Sequence, residues 1–528
     1  MKKVLLLLCA AATASFTFAQ KNPVAVKYAR YISVADAKKH LTILASDEFE
    51  GRETGKPGAD KAAKYIAAEF KKLGLQAPVK GSYFLDVPLT ENAFVVNNFT
   101  INGVKLTAGK DFYSSAGYSA DKTINAAEVV FLGYGISDAK YDALKDIDIA
   151  GKVVIYINEP EPLKNGVSVI TGTATRSAWS ITRTKRNTFL RSKNPALILS
   201  TSPRVATNLK NLGTSLMAPE LVIKKGNEPA PASKTVVLNI TTEIASQLLK
   251  STGKTYEQLK AELDSTGVPK TQVVKADVTA SYATTNKDVK AVDVLGFLPG
   301  RDAKLKKEVL VISAHYDHIG LEPEGKPGDR INNGADDDGS GTTGVLEIAR
   351  AFVAAKKAGK GPKRSILFLA NVGEEKGLLG SEYYSDHPVF PLANTITNLN
   401  IDMIGRVDPE HKATPDYCYL IGSDKLSTTL HKISEKANAT YTNLKIDYKF
   451  NDPNDPERIY YRSDHYNFAK HGIPIIFYFN GVHEDYHGVG DEVSKIDFPL
   501  LVKRAQLVFY TGWDLANRAT RPVVDVKS

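Results

Sequence analysis

The segment Glu308-Val-Leu-Val-Ile-Ser-Ala-His315-Tyr-Asp-His318 begins as an apolar run typical of a buried strand and ends in side chains that can bind metal ions. After a loop rich in Gly and Pro, the chain reaches Gly334-Ala-Asp-Asp-Asp-Gly-Ser-Gly341 and then an apolar helical pattern from Val345. Taken alone, the three aspartates would suit the positive N-terminus of that helix. Their position after a strand that ends in His also indicates a metal site.

Later apolar runs end in the same residue types. They are residues 365–372 before Glu374-Glu375, 397–401 before Asp402, and 473–479 before His487. Strand and helix patterns alternate from about residue 290, which is typical of a parallel sheet covered by helices. Ligands of such sheets bind beyond the carboxyl ends of the strands. We therefore predict an α/β fold with a mixed, mainly parallel sheet flanked by helices, in which these side chains meet.

The domain organisation follows from changes in pattern along the chain. One helical pattern starts at the N-cap candidate Ser33, and a second runs from Gly58 to a C-cap at Gly74. Short β-like runs with frequent Gly and Pro then prevail until about residue 279, and a helical pattern over 500–516 closes the chain. The predicted segments are a signal peptide (1–19), the N-terminal part of a catalytic domain (20–115), an inserted β-rich domain (116–284) and the remainder of the catalytic domain (285–528).

The first 19 residues have the features of a cleavable secretory signal. A positive start at Lys2 and Lys3 precedes an apolar run too short to span a bilayer, and Thr17 and Ala19 are small residues at the cleavage positions. The alternative is an uncleaved N-terminal anchor. We expect a secreted or periplasmic protein with no transmembrane segment. Cleavage would leave Cys418 as the single cysteine, so no intrachain disulfide can form.

Composition excludes some partners. A chain of 528 residues exceeds one core, so two or three units are expected. Loss of Lys2 and Lys3 lowers the formal charge from +9 to +7, a modest surplus spread along the chain. The basic cluster 183–193 lacks the aromatic interleaving of single-strand binders. We expect no nucleic-acid partner, and the sequence gives no indication of oligomeric state.

The residue types suggest distinct chemical roles. Asp317 lies two residues after His315, on the same face of an extended segment, and can hold the imidazole in one tautomer. Asp336, on a Gly-flanked loop, can bridge two cations through both carboxylate oxygens. Neighbouring side chains diverge, so one of Glu374 and Glu375 can bind metal while the other takes a proton from water.

In order and character, these motifs resemble those of the M28 family of co-catalytic zinc peptidases. The resemblance rests on His315-Tyr-Asp-His, Gly334-Ala-Asp-Asp, Glu374-Glu375, Asn400-Ile-Asp402 and Asp485-Tyr-His487, and it extends to Leu44-Ala-Ser-Asp-Glu-Phe-Glu-Gly-Arg with Thr54-Gly-Lys-Pro-Gly. The middle of the chain resembles the protease-associated domain that many members insert. Most of the mature chain is covered by the resemblance.

The resemblance implies a peptide-hydrolysing site with two Zn²⁺ per chain. One zinc ion would take His315 and Asp402, the other would take Glu375 and His487, and Asp336 would be shared. Glu374 would be the general base, and Asp317 would support His315. Tyr486 matches a family position near the substrate, where its hydroxyl would hydrogen-bond the developing oxyanion; simple packing is the alternative.

The sequence departs from the family pattern after the last predicted ligand. Family members often follow that His with Thr and Pro or Ala before an Asp, whereas this chain has Gly488-Val-Gly-Asp491. The spacing to Asp491 is kept, so the assignment of His487 stands. His318, His465 and His483 are not expected to bind metal, and Ser463-Asp-His is expected to cap a helix.

The leading hypothesis is a secreted aminopeptidase acting on peptides. A glutamate-releasing type of carboxypeptidase is the first alternative, because Arg176, Arg183, Arg186 or Arg191 could bind a substrate carboxylate. A one-zinc glutaminyl cyclase and a non-catalytic binding protein are further alternatives. The complete set of predicted ligands and the inserted domain favour the peptidase.

Overall fold

The computed structural model describes residues 21–114, 121–182, 184–224, 235–323 and 327–526. The predicted signal peptide therefore lies outside the described residues. The chain forms two units, one of residues 1–89 and 289–528 and the other of Thr90–Asp288. The unit 90–288 begins well before the predicted boundary at residue 116, because Phe99 and Ile101 already belong to its hydrophobic core.

The α-helices of the described residues are numbered in chain order. They are α1 (Pro23–Ala29), α2 (Val34–Leu44), α3 (Pro57–Leu73), α4 (Ala178–Ile181), α5 (Lys185–Ser192), α6 (Pro203–Leu212), α7 (Thr242–Leu248), α8 (Tyr256–Thr266), α9 (Gly341–Lys357), α10 (Leu379–Asp386), α11 (Thr428–Ala437), α12 (His465–Lys470) and α13 (Phe498–Asn517).

The strands are numbered in the same way. They are β1 (Phe84–Ile101), β2 (Val104–Lys105), β3 (Phe112–Ser114), β4 (Lys122–Phe131), β5 (Ser137–Asp138), β6 (Tyr141–Asp142), β7 (Val153–Ile157), β8 (Leu163–Lys164), β9 (Val167–Ser168), β10 (Leu197–Thr201), β11 (Glu220–Ile223), β12 (Val237–Ile240), β13 (Gln272–Leu298), β14 (Val309–His315), β15 (Ser365–Asn371), β16 (Thr395–Ile401), β17 (Tyr417–Ile421), β18 (Lys445–Asp447) and β19 (Ile475–Phe479).

The unit of residues 1–89 and 289–528 contains the predicted mixed sheet. Its four central strands, in the order β15-β14-β16-β19, are parallel. The edges reverse direction, since β17 is antiparallel to β19 and the end of β13 is antiparallel to β15. Every residue of β14, β15 and β16 is buried, as expected for parallel strands covered on both faces. The fold prediction is confirmed.

Helices cover both faces of this sheet. On one face Val311 and Leu369 pack in the cluster that contains Tyr384 of α10 and Phe468 of α12. On the other face α9 and α13 lie against β14 and β16, where Leu310, Ile312 and Leu399 surround Gly512. Alternate side chains of one strand thus enter two separate cores, which explains why these segments read as continuous apolar runs.

The helix termini follow the predicted signals. Ser33 caps α2 by accepting a hydrogen bond from the Asp36 N–H. Gly74 ends α3 in the left-handed conformation, with φ of 85°. The helix predicted over 500–516 is α13. Within the described residues, no helix has the length and apolar character needed to cross a membrane.

The unit 90–288 has its own hydrophobic core. The strands β4, β7, β10 and β12 are parallel neighbours in that order, while β3 pairs antiparallel with β12. Five α-helices, α4 to α8, lie among the described residues of this unit. The short β-like runs did not indicate these helices.

Candidate active site

The candidate site lies where the central parallel strands end. His315 is the last residue of β14, Glu374 and Glu375 follow β15, and Asp402 follows β16. Pairing of His315 with Asn371 and of Ser313 with Asn400 brings these three ends level. The sheet register thus gathers residues from distant parts of the sequence, as the apolar runs predicted.

His315 presents one ring nitrogen to several carboxylates. Its Nδ1 lies 3.1 Å from the Asp317 carbonyl oxygen, so Nδ1 carries the proton that donates there. Its buried Nε2 has no hydrogen-bond partner and lies 3.4 Å from Asp337 Oδ1 and 3.6 Å from Asp402 Oδ1. A ring nitrogen that faces two carboxylates and has no hydrogen-bond partner offers a ligand atom for a cation.

The Asp337 carboxylate lies between the imidazoles of His315 and His487. Its Oδ1 faces His315, and its Oδ2 lies 3.1 Å from His487 Nε2. The carboxylate is almost fully buried, and its Oδ2 has no hydrogen-bond partner. Burial opposes ionisation of Asp337, but the nearby imidazoles of His315 and His487 hold its pKa well below the usual range.

The expectation that Asp336 is the shared ligand requires correction. Asp336 Oδ1 accepts hydrogen bonds from the Gly405 N–H (2.6 Å) and from Ser340 Oγ (2.9 Å). Its Oδ2 lies 3.3 Å from His483 Nε2, away from His315 and His487. Because adjacent side chains leave the backbone in different directions, one aspartate of the run can face the site while its neighbour serves the loop behind it.

A second group surrounds Glu375. Glu375 Oε2 lies 3.0 Å from His487 Nε2, and Oε1 lies 2.8 Å from His318 Nδ1. His318 was not expected near a metal, yet it is fully buried and forms a cluster of potential ligands with Asp337 and Glu375. Its sequence neighbour Asp317 was noted, but nothing in the local pattern distinguished His318 from a structural histidine.

The other cluster of potential ligands contains His315, Asp337 and Asp402. Asp402 Oδ2 accepts a hydrogen bond of 2.6 Å from Ser463 Oγ. Ser463 was expected to cap a helix, but α12 begins two residues later and the hydroxyl instead orients Asp402. Sequence analysis missed this partner because the two residues are far apart in the chain.

Glu374 lies beside the clusters without belonging to either. Its Oε2 is 3.9 Å from His315 Nε2, and its side chain lines a cavity with Asp337 and Asp402. Burial raises the pKa of Glu374 well above its usual range, supported by the nearby Glu375 and Asp402 carboxylates and opposed by His315. A carboxylate in this position can accept a proton from water in the cavity.

Asp317 contacts His315 at the end of β14 and Glu374 after β15. Its carbonyl accepts from His315 Nδ1, while Oδ1 lies 3.7 Å from the same nitrogen. Oδ1 also accepts from the Glu374 N–H at 3.3 Å, and Oδ2 accepts from Thr54 Oγ1 at 2.7 Å. Asp317 is therefore close to His315, as predicted, but its backbone oxygen makes the shorter contact.

Two buried charged residues fix the loop that carries Asp337. The Asp491 carboxylate accepts hydrogen bonds of 3.0 Å from the N–H groups of Asp336 and Asp337. The Arg52 guanidinium donates to the Asn333 and Gly334 carbonyls at 2.6 and 2.8 Å. The loop direction is thus set from both sides by residues that are remote in sequence.

Next to these groups is a narrow cavity of about 30 Å³. Besides the carboxylates, its walls include an apolar set and the rim residues Arg462 and Tyr486. The apolar set consists of Met403, Ile459, Phe477, Phe479 and Val482. Tyr486 stacks on His487 with ring centroids 3.9 Å apart, and its hydroxyl accepts a hydrogen bond from Arg462.

The remaining candidates lie elsewhere. His465 Nε2 donates to the Tyr460 carbonyl, and His483 is close to Asp336. In the other unit, Arg176, Arg186 and Arg191 donate to backbone carbonyls of that unit, as expected for structural residues. Arg183 is outside the described residues.

The donor set fits divalent zinc. Four carboxylates (Asp337, Glu374, Glu375 and Asp402) face three histidines (His315, His318 and His487), and several of their atoms lack partners. Such an excess of buried negative charge is costly unless cations offset it. Mixed imidazole and carboxylate ligands are those that zinc accepts in catalytic sites.

Comparisons with known proteins agree with this geometry. The model of Peptidase family M28 matches residues 293–512. A probable leucine aminopeptidase of Trichophyton verrucosum (strain HKI 0517) is 29% identical over 229 residues, which are 42% of this chain and 57% of that relative. The match therefore spans little more than half of the relative's length.

Solved structures share the fold. The aminopeptidase from Aneurinibacillus sp. strain AM-1 is 18% identical, with a TM-score of 0.56 and coverage of 96% of this chain and 98% of that chain. A zinc aminopeptidase from Bacillus subtilis is 17% identical, with a TM-score of 0.50 and coverage of 94% and 99%. Residues 293–512 therefore match peptidase family M28, and the strand-end residues described above lie within that match.

Proposed function

We propose that this protein is a two-zinc aminopeptidase that hydrolyses N-terminal residues from peptides. The observation that carries the proposal is the Asp337 carboxylate, whose two oxygens face different histidines at 3.4 and 3.1 Å. One carboxylate shared between two sets of ligands is the arrangement that a pair of metal ions requires.

We assign His315, Asp402 and Asp337 to one zinc ion, and Glu375, His487 and Asp337 to the other. His487 is preferred to His318 as the ligand because its Nε2 lies almost equally close to Asp337 and Glu375. His318 then donates to Glu375 and holds it in place. When bound, the zinc pair would polarise the scissile carbonyl and increase the acidity of bound water.

The remaining catalytic roles belong to side chains of the protein. Glu374 accepts a proton from the attacking water and passes it to the leaving amine. Asp317 and Ser463 hold His315 and Asp402 in their orientations, as hydrogen-bond partners of ligands do. The Tyr486 hydroxyl, on the cavity wall, donates to the oxyanion of the substrate.

The cavity supports a preference for apolar N-terminal residues. Its wall beside the carboxylates is formed mainly by apolar side chains, such as Ile459 and Phe479, which favour a hydrocarbon side chain over a charged one. The substrate amine would lie near the carboxylates, which are suitable acceptors for an ammonium group.

Two further assignments belong to the same proposal. Residues 1–19 are proposed to direct export and to be removed, so that the enzyme acts outside the cytoplasm. The unit 90–288 is proposed to be an inserted domain of the protease-associated kind. The support is its separate core, with the chain entering and leaving it from the catalytic unit.

The proposal is tested with residues 20–528, loaded with zinc, and one peptide offered with a free or an acetylated N-terminus. Mass spectrometry should show stepwise loss of N-terminal residues from the free peptide alone. Loss of C-terminal residues from both forms would instead establish a carboxypeptidase. Cleavage of neither form, with about one zinc per chain, would favour a cyclase, and no bound metal would favour a binding protein.

A further inference from the structure

The active-site cavity has a cationic rim that the proposed mechanism does not use. Among the described residues that line the cavity, Arg462 is the only lysine or arginine. It directly precedes Ser463, whose hydroxyl donates to Asp402. The short segment that orients a proposed zinc ligand therefore also brings a guanidinium to the substrate.

Arg462 retains donors for a ligand. Its Nη2 donates to the Tyr486 hydroxyl at 3.3 Å, and its Nη1 lies 3.8 Å from the Glu457 carboxylate. The Arg462 side chain is 42% exposed and that of Glu457 is 68% exposed. An ion pair that is long and exposed is weak, so a substrate carboxylate can displace Glu457.

The geometry points to the free carboxylate of a short peptide, and we propose that Arg462 binds it and gives the enzyme a preference for dipeptides. This inference rests on the proposed aminopeptidase function. Tyr486 connects Arg462 to His487, so the guanidinium lies one side chain away from a proposed zinc ligand. In a dipeptide, the terminal carboxylate follows the scissile bond by one residue, or about 3.5 Å of extended chain.

An acidic side chain on the N-terminal residue fits the observations less well. That side chain would enter the recess formed by residues such as Met403 and Phe477, where a charge loses its hydration. The Arg462 side chain is partly exposed, which suits a carboxylate on the leaving part of the peptide because that group keeps part of its hydration. A planar guanidinium there can bind both carboxylate oxygens.

The experiment compares kcat/KM for Leu-Ala, Leu-Ala-amide and Leu-Ala-Ala, using the zinc-loaded enzyme and the variants Arg462→Gln, Arg462→Lys and Arg458→Gln. The native enzyme should prefer Leu-Ala over its amide by about tenfold in kcat/KM. This is less than a buried ion pair would give, because solvent weakens the contact between the exposed guanidinium and the carboxylate. Arg462→Gln should bring this ratio close to one, mainly through KM, and Arg462→Lys should restore part of it. Arg458→Gln is the matched control, since Arg458 is exposed, packs on the Tyr461 ring and does not line the cavity.

Three results would overturn the inference while leaving the aminopeptidase function intact. The first is equal cleavage of the amide and the free acid by the native enzyme, and the second is a ratio of the two that Arg462→Gln leaves unchanged. The third is selective loss of activity on Glu-p-nitroanilide relative to Leu-p-nitroanilide in Arg462→Gln, with the dipeptide preference retained. Failure of the native enzyme to release Leu from any substrate would reject the proposed function itself.

Discussion

Separate substitutions of Asp336 and Asp337 by asparagine distinguish the proposed shared zinc ligand from its neighbour in sequence. Asp337→Asn removes the charge whose two oxygens face His315 and His487 at 3.4 and 3.1 Å. Asparagine keeps one oxygen but presents an NH₂ group in place of the other, so one of the two contacts becomes unfavourable for a cation. Asp336→Asn is chemically identical and lies one residue away, but its oxygen can still accept from Gly405 and Ser340.

The expected effects differ by about two orders of magnitude. Loss of a metal's contribution to the transition state costs several kcal/mol, and each 1.36 kcal/mol is tenfold in rate, so Asp337→Asn should lower kcat/KM by about 10³-fold. Asp336→Asn should cost about tenfold, the lower range for groups behind a ligand.

The assay combines hydrolysis of Leu-p-nitroanilide with metal analysis after dialysis against metal-free buffer. Asp337→Asn should retain at most about one zinc per chain, whereas Asp336→Asn should retain about two. Equal losses in both variants, or a larger loss of zinc and activity in Asp336→Asn, would show that the assignment of Asp337 is incorrect. Melting temperatures of both variants serve as the control for folding.

Further predictions concern the base, the loop, pH and metal removal. Glu374→Gln should keep its zinc but lose about 10² to 10⁴ in kcat, as measured by metal analysis and turnover; unchanged turnover would exclude Glu374 as the base. Arg52→Met should leave several buried carbonyls unpaired and destabilise the protein by about 3 kcal/mol in denaturant unfolding; a change below about 0.5 kcal/mol would contradict this role. Burial raises the pKa of Glu347 to about 7. The protonated Glu347 carboxyl therefore favours the folded state fully below pH 4.5, and this contribution to stability is lost as the pH rises through 7. Glu347→Gln should reduce the fall in melting temperature between pH 5 and pH 8 by an amount equivalent to about 3 kcal/mol. If the melting temperature of Glu347→Gln depended on pH as that of the native protein does, the raised pKa of Glu347 would be refuted. Chelation of zinc should lower the melting temperature, and readdition should restore it, because a ligand that binds the folded state alone stabilises it by about 2.7 kcal/mol at 100 times its Kd.

The fold was predictable because its signals are local. Each central strand is a run of apolar residues followed at once by a polar side chain, and parallel strands necessarily place those ends together. His315, Glu374, Glu375 and Asp402 could therefore be assigned to one site. The helix termini at Ser33 and Gly74 were predictable for the same reason, since caps depend on a few neighbouring residues.

The details that sequence analysis missed depend on contacts between distant segments. A run of three aspartates offers three equivalent candidates, and only the tertiary structure selects among them. Similarly, Ser463 looked like a helix cap because its contact with Asp402 crosses 61 positions of the chain. His318 was set aside because no local pattern places its Nδ1 at 2.8 Å from Glu375.

The three aspartates have different functions because hydrogen-bond donors of the protein engage two of their carboxylates, those of Asp336 and Asp338. Asp336 is held by Gly405 and Ser340, whereas Asp338 accepts from the backbone N–H groups of His315 and Met403 and so ties two strand ends together. Asp337 Oδ2 has no hydrogen-bond partner and lies 3.1 Å from His487 Nε2. With both neighbours engaged by the protein, its carboxylate is left directed at the histidines. The site is therefore organised by hydrogen bonds that do not depend on a bound cation, and this preorganisation reduces the entropy lost when metal ions bind.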